Sequence, residues 1–214
     1  MKEIIEILKK RSWKVYAFMF SLFAIFFIFS FLSAKYMLET DPKKIDEFLL
    51  QINQSEPIKK FHEMLKEEKF LHISLFIFLH NSQIAIINYF FGATFIFPII
   101  IQISNSFLVG FLVGVSEKIF FNFFDFAAFL IVLLIEVVSI TLAGVEGMYI
   151  TYSFLRPEKM WKTKNRLKSV RKTVNQSMKI LILILLMLFI ASIIETVSIY
   201  YQYKSNIEAF IIGI

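Results

Sequence analysis

Long apolar runs separated by short polar segments divide the chain. The runs extend from about Trp13 to Ala34, Phe70 to Gly92, Thr94 to Val115, Phe126 to Leu155 and Ile180 to Tyr203. Each is close to or above the ~20 residues with which a helix crosses a hydrocarbon layer. This pattern predicts an all-α integral membrane protein, a bundle of about five transmembrane helices forming one membrane domain over residues 1–214. Between the first two runs, residues 35–69 are polar but carry helical periodicity, with Ile45, Phe48, Leu49 and Ile52 in one set and Ile58, Phe61 and Leu65 in another. Asp41-Pro42 and Ser55-Glu56-Pro57 supply start signals for two short amphipathic helices at the membrane surface.

The fourth run is the expected hub. Its near 30 apolar residues correspond to about 45 Å of helix, more than a hydrocarbon core, so the helix must tilt, break or project. It carries Glu136 and, further along, Glu146, and an ionisable group inside a span is ordinarily turned toward protein or water. Ser139, Ala143 and Gly147 follow at steps of four, placing three small residues on one face where a second helix can approach closely. The third run repeats the device with Ser106, Gly110 and Gly114, next to Gln102 and Asn105, and has Pro98 near its start. The second run bears the cluster His80-Asn81-Ser82-Gln83 and a stripe of Asn81, Ala85, Asn88 and Gly92. With Gly92 at the turn, the second and third runs are expected to form a tight hairpin with backbones in contact.

Charge then orients the runs. Residues 1–14 hold Lys2, Lys9, Lys10, Arg11 and Lys14 against Glu3 and Glu6, and residues 156–179 hold nine Lys and Arg against Glu158 alone. Positive residues collect on the cytoplasmic side. The expectation is therefore a multi-pass protein of the cell membrane with a cytoplasmic tail at residues 1–12 and a basic cytoplasmic loop at 156–179. The 35–69 segment and the C-terminus fall outside the cell, with KSNIEAFIIGI outside or returning to the interface and residues 116–125 a short outer connection. The net charge of +6 is thus a topology signal, and no nucleic-acid partner is expected. A composition of 57% hydrophobic residues in 214 leaves little room for a soluble enzyme.

Candidate chemistry is sparse. His62-Glu63 lacks a second His at the zinc-protease spacing, and phosphate-binding loops, glycine-rich dinucleotide turns and nucleophile elbows are missing. The chain has no cysteine, which excludes disulfides and thiol nucleophiles. No catalytic, cofactor-binding or metal residues are assigned, and no cofactor. What stands out is an intramembrane polar set: Asn81, Asn88, Gln102, Asn105, Glu136 and Glu195. Glu136 and Glu195 each lie about four residues outward of the middle of oppositely running spans, roughly 6 Å from the midplane on the same side. They tie helices together by hydrogen bonds, or they line a proton, ion or substrate path.

The run Glu136–Met148, EVVSITLAGVEGM, resembles the signature of stage II sporulation protein M and its relatives, in which a Glu is followed by apolar residues and Ala-Gly-x-x-Gly. NSFLVGFLVG is similar to the family's Asn-Gly…Gly segment, IASIIETVS to its last-span Ala…Glu pattern, and FLHNSQIAI to the polar start of its second span. The likeness covers most of residues 75–200. Ser106 stands where the family usually has Gly, and Ile131 to Ile135 replace its Pro-His-Gly before the Glu, so no role of that His is carried over. The resemblance implies a polytopic, non-enzymatic bundle that assembles with other membrane or envelope proteins, as the namesake resembles an anchor for peptidoglycan-degrading proteins at the engulfing septum. Two functions are weighed: a membrane scaffold, and a transporter or channel subunit with a carboxylate- and Asn-lined path. The bilayer, other envelope proteins and a second copy of the chain are the expected partners.

Overall fold

The computed structural model describes residues 2–54, 56–116 and 123–212. Among them the chain is helical throughout, in the order α1 (Lys2–Lys10), α2 (Trp13–Thr40), α3 (Pro42–Asn53), α4 (Glu56–Lys66), α5 (Phe70–Phe91), a 3-10 turn (Gly92–Thr94), α6 (Ile96–Gly114), α7 (Phe123–Leu155), α8 (Pro157–Trp161) and α9 (Arg166–Ile212). Five of these helices are long and apolar enough to cross a membrane: α2, α5, α6, α7 and α9. Ser55 and most of the 116–125 connection lie outside the described residues, as do the last two residues of KSNIEAFIIGI.

The breaks between helices have local causes. Asp41 leaves helical geometry at the end of α2, and Pro42, which lacks an N–H to satisfy, opens α3. The Asp41 carboxylate lies 3.0 Å from Lys44, whose ammonium holds the Asp41 carboxyl below its usual pKa. Arg156, preceding Pro157, is disfavoured in the α region, so α7 ends there and α8 starts on the proline. Pro98 sits in the first turn of α6, where its missing N–H breaks no ladder.

α7 is the hub. α5 and α9 pack along it to form a trio, while α2 and α6 form a pair that meets α7 more lightly. From Ala143 to Tyr149 every residue of α7 is buried. The core of the trio combines Ala85 and Tyr89 of α5, Ala143 of α7, and Ile180, Ile184 and Leu188 of α9. Met19 of α2 joins Val145, Met148 and Tyr149 in a second cluster. Large apolar side chains such as Phe18, Ile25, Phe29 and Leu32 on α2 point outward, as a lipid-facing surface requires.

Three expectations change. The second and third spans are joined by a short turn but do not form the expected close-packed hairpin. The Ser106/Gly110/Gly114 face of α6 packs on α2 instead: a Cβ on Gly110 would stand 2.4 Å from the Phe27 carbonyl, and one on Gly114 2.6 Å from Ala34 Cβ. The turn sends α6 away from α5 because Gly92 lies against Gly147 of α7, which occupies the space beside it. The basic 156–179 segment is not a loop: α8 and, from Arg166, the first turns of α9 carry it, and α9 continues unbroken through the last span to Ile212. Residues 2–10 are not a free tail either, since α1 is amphipathic and buries Ile7 in the core of the trio. Of the three alternatives open to the long fourth span, breaking is set aside, because α7 is one helix of 33 residues.

The predicted amphipathic helices are present. α3 packs Ile45 against Ala34 and Val115, at the ends of α2 and α6. α4 packs Leu65 against Ile73 and Ile77 of α5.

Candidate functional site

Two polar centres lie along α7, separated by the ten-residue step from Glu136 to Glu146, or about 15 Å of helix. The one at Glu136 is a cavity of about 310 Å³ lined by His80, Asn81, Glu136 and Glu195, with Phe61, Phe76, Ile77 and Ile199 as its apolar wall. Asn81 donates its side-chain amide to Glu136 Oε1. Glu195 Oε2 is buried and has no hydrogen-bond partner. The two carboxylates, on oppositely running helices, therefore open on one cavity. α4 contributes Phe61 to the wall, so the amphipathic 35–69 segment helps to close the site.

The other predicted polar residues are apart from this cavity. Asn88 donates from Nδ2 to the Ile140 carbonyl at 2.9 Å, tying α5 to α7. Gln102 and Thr141 bond reciprocally, Nε2 to Oγ1 at 2.9 Å and Oγ1 to Oε1 at 3.2 Å, tying α6 to α7. Asn105 on α6 is half-buried and does not line the carboxylate cavity. Of the second packing strip, Ser139 and Ala143 are buried. A Cβ on Gly147 would come within 2.1 Å of the Tyr89 carbonyl, so bare backbones meet at this crossing. Ser106 is buried on the α2 side and its hydroxyl returns to the Ile103 carbonyl.

The second centre was not anticipated. Arg11, read from the sequence as a topology charge, folds into the bundle beside Glu146, and both side chains are fully buried. Nε and Nη2 of Arg11 approach Oε1 and Oε2 of Glu146 at 3.1 and 2.8 Å, the forked geometry that guanidinium and carboxylate share. Tyr16 donates to Glu146 Oε1 at 2.9 Å, and Ser177 donates to Oε2 at 2.6 Å. The guanidinium also lies 4.7 Å from the centre of the Tyr149 ring, and the Ser12 N–H donates to the Tyr149 hydroxyl at 2.6 Å. One ion pair thus joins the α1–α2 break, α7 and α9. The available signal was the pairing of a Glu inside an apolar run with a basic cluster on the same side of the membrane. It was missed because Arg11 precedes the first span and looked solvated. Nearby, Lys179 binds Glu3, and the lysine holds the Glu3 carboxyl below its usual pKa. Both basic segments are therefore at the same end of the molecule.

A family model described as stage II sporulation protein M matches residues 19–198. The chain belongs to that family. The match begins in the first span and ends in the last, so on the N-terminal side it extends past the 75–200 stretch that carries the motifs and takes in the 35–69 segment. Membership and the five apolar helices identify this stage II sporulation protein M relative as a multi-pass membrane protein. Neither a curated protein nor a solved structure matches the chain.

Proposed function

We propose that this protein is a non-enzymatic assembly subunit of the cell membrane, which holds partner membrane or envelope proteins through the surface formed by α3 and α4. The observation that carries this reading is the use of its intramembrane polar groups. Asn81, Asn88, Gln102, Arg11 and Glu146 each bond another part of the bundle, so these polar groups serve to hold helices together, although Asn88 Oδ1 and Arg11 Nη1 have no hydrogen-bond partner. In this reading the basic end faces the cytoplasm and the 35–69 segment faces outward, where Phe48 and Leu50 of α3 are exposed. Affinity purification of the intact chain from its native membrane, followed by mass spectrometry, should return a reproducible membrane or envelope partner. Leu50→Glu should abolish its recovery while leaving the bundle's thermal stability unchanged. Recovery of the same partner from the Leu50→Glu variant would remove α3 from the docking surface.

A second reading rests on Glu195, whose buried oxygen is unbonded within the cavity that it shares with Glu136. Two carboxylates, an amide and an imidazole can bind a proton or a cation, so a transporter or channel subunit is the alternative. Ion flux in proteoliposomes that Glu136→Gln or Glu195→Gln abolishes, with the fold preserved, would favour transport over scaffolding.

A further inference from the structure

At the basic end, a separate cavity of about 450 Å³ opens between α1, the start of α2, the turn before α6, the end of α7 and α8. Its lining combines exposed cations with less exposed apolar groups. Lys10 and Lys159 come from two different helices and are both exposed, Ser12 and Tyr152 add hydroxyls, and Val15, Met148 and Met160 supply apolar surface. None of the lining residues is acidic. The nearest buried carboxylate, Glu146, is already held by Arg11, and the Tyr149 ring that forms part of the wall lies against that guanidinium.

Phe95 completes the wall, and its backbone is unusual. Its φ of 59° and ψ of −35° belong to a region that a bulky side chain rarely occupies. Such strain costs on the order of 1–3 kcal/mol and persists only where surrounding structure enforces it. Here the strain directs an aromatic ring to the cavity in place of the glycine that the turn would favour. The level also matters. Trp13 and Trp161, the chain's two tryptophans, flank the cavity in sequence beside Ser12 and Met160, and indoles of this kind mark the headgroup layer. The site therefore has cations where a membrane presents phosphates, and apolar surface where it presents acyl chains.

We infer that this cavity binds the headgroup of an anionic phospholipid, with Lys10 and Lys159 at the phosphate and Val15, Phe95, Met148 and Met160 along the first acyl carbons. The assignment does not depend on whether the protein acts as a scaffold or a transporter. A diffuse attraction of the basic segment to an anionic surface would treat all its lysines alike, whereas this site singles out two.

The full-length chain in neutral detergent, titrated with phosphatidylglycerol or phosphatidylcholine and followed by native mass spectrometry, tests this. Phosphatidylglycerol should be retained at least about tenfold better than phosphatidylcholine. The K10E/K159E double variant should lose that preference. K168E/R171E, with the same change of charge on exposed positions of α9 outside the cavity, should keep it. Phe95→Gly relieves the backbone strain, so it should fold at least as stably as the parent yet bind the lipid several-fold more weakly. Equal loss in both double variants would reduce the effect to general electrostatics and overturn the site. Equal retention of the two lipids, or displacement of phosphatidylglycerol by millimolar inorganic phosphate, would overturn it as well, the latter by assigning the cavity to a free anion. Unchanged lipid binding by Phe95→Gly would remove the apolar wall from the proposal.

Discussion

The Arg11–Glu146 pair shows how one side chain changes the meaning of a segment. Both groups are taken fully out of solvent, and desolvation of either charge is offset only because the fork geometry, Tyr16 and Ser177 occupy the carboxylate oxygens. Removing one partner leaves the other as an uncompensated buried charge. Arg11→Ala should therefore destabilise the bundle by about 3–5 kcal/mol, read as a large fall in the thermal unfolding midpoint in detergent. The apolar double variant Arg11→Met/Glu146→Leu should recover much of that loss, since the charges vanish together. If the double variant were as unstable as the sum of the single ones, the pair would not be a closed electrostatic unit. Glu136 and Glu195 behave differently at the same scale. Asn81 bonds Glu136, so Glu136→Leu should destabilise by about 1–3 kcal/mol through the orphaned amide. Glu195 has an oxygen without a partner, so Glu195→Leu should cost less than Glu136→Leu. Unfolding midpoints of the two variants, measured side by side, check the order.

At the scale of elements, the small-residue faces decide which helices touch. α5 and the turn after it meet α7 where Tyr89 and Gly92 face Gly147, and α2 meets α6 at Gly110 and Gly114. At Gly147 even a methyl group would collide with backbone, which cannot turn aside as a side chain can. Gly147→Ala should then destabilise by about 1–3 kcal/mol, the ordinary cost of overpacking. Gly110→Leu should separate α2 from α6 while the trio of α5, α7 and α9 survives, because those three helices share a different core. Limited proteolysis of the Gly110→Leu variant should expose α2 first. Simultaneous loss of the whole bundle would mean that the α2–α6 pair is integral to the trio's stability.

At the scale of the whole molecule, the charges at one end define a direction across the membrane. The 1–14 and 156–179 segments are brought together by the Glu3–Lys179 and Arg11–Ser177 contacts, so both must face the same compartment. With that compartment the cytoplasm, a cysteine at Gln54 in this cysteine-free chain should react with an impermeant thiol reagent from outside intact cells. A cysteine at Lys168 should react only after the cells are opened. Both positions are exposed, so burial does not confound the comparison. The reverse labelling pattern would invert the orientation while leaving the fold as described.

Much of this architecture was legible in the chain itself. Five apolar runs define five spans because a helix is the only open segment that satisfies its own backbone in lipid. The periodicity of residues 35–69 was sufficient for α3 and α4, and Gly92 for the turn, since these follow from local spacing and backbone geometry. Which faces meet could not be read in this way. In lipid every apolar face is equally solvated, so the small-residue strip of α6 carries no mark distinguishing α5 from α2 as its partner. Nor does an arginine at the end of an amphipathic helix reveal that it will be drawn beneath the bundle. That depends on the space that α5, α7 and α9 leave for Ile7 and on a carboxylate 135 residues away. Spans and turns were determined by local sequence; the choice of partners, the buried ion pair and the two cavities were decided only when the helices packed.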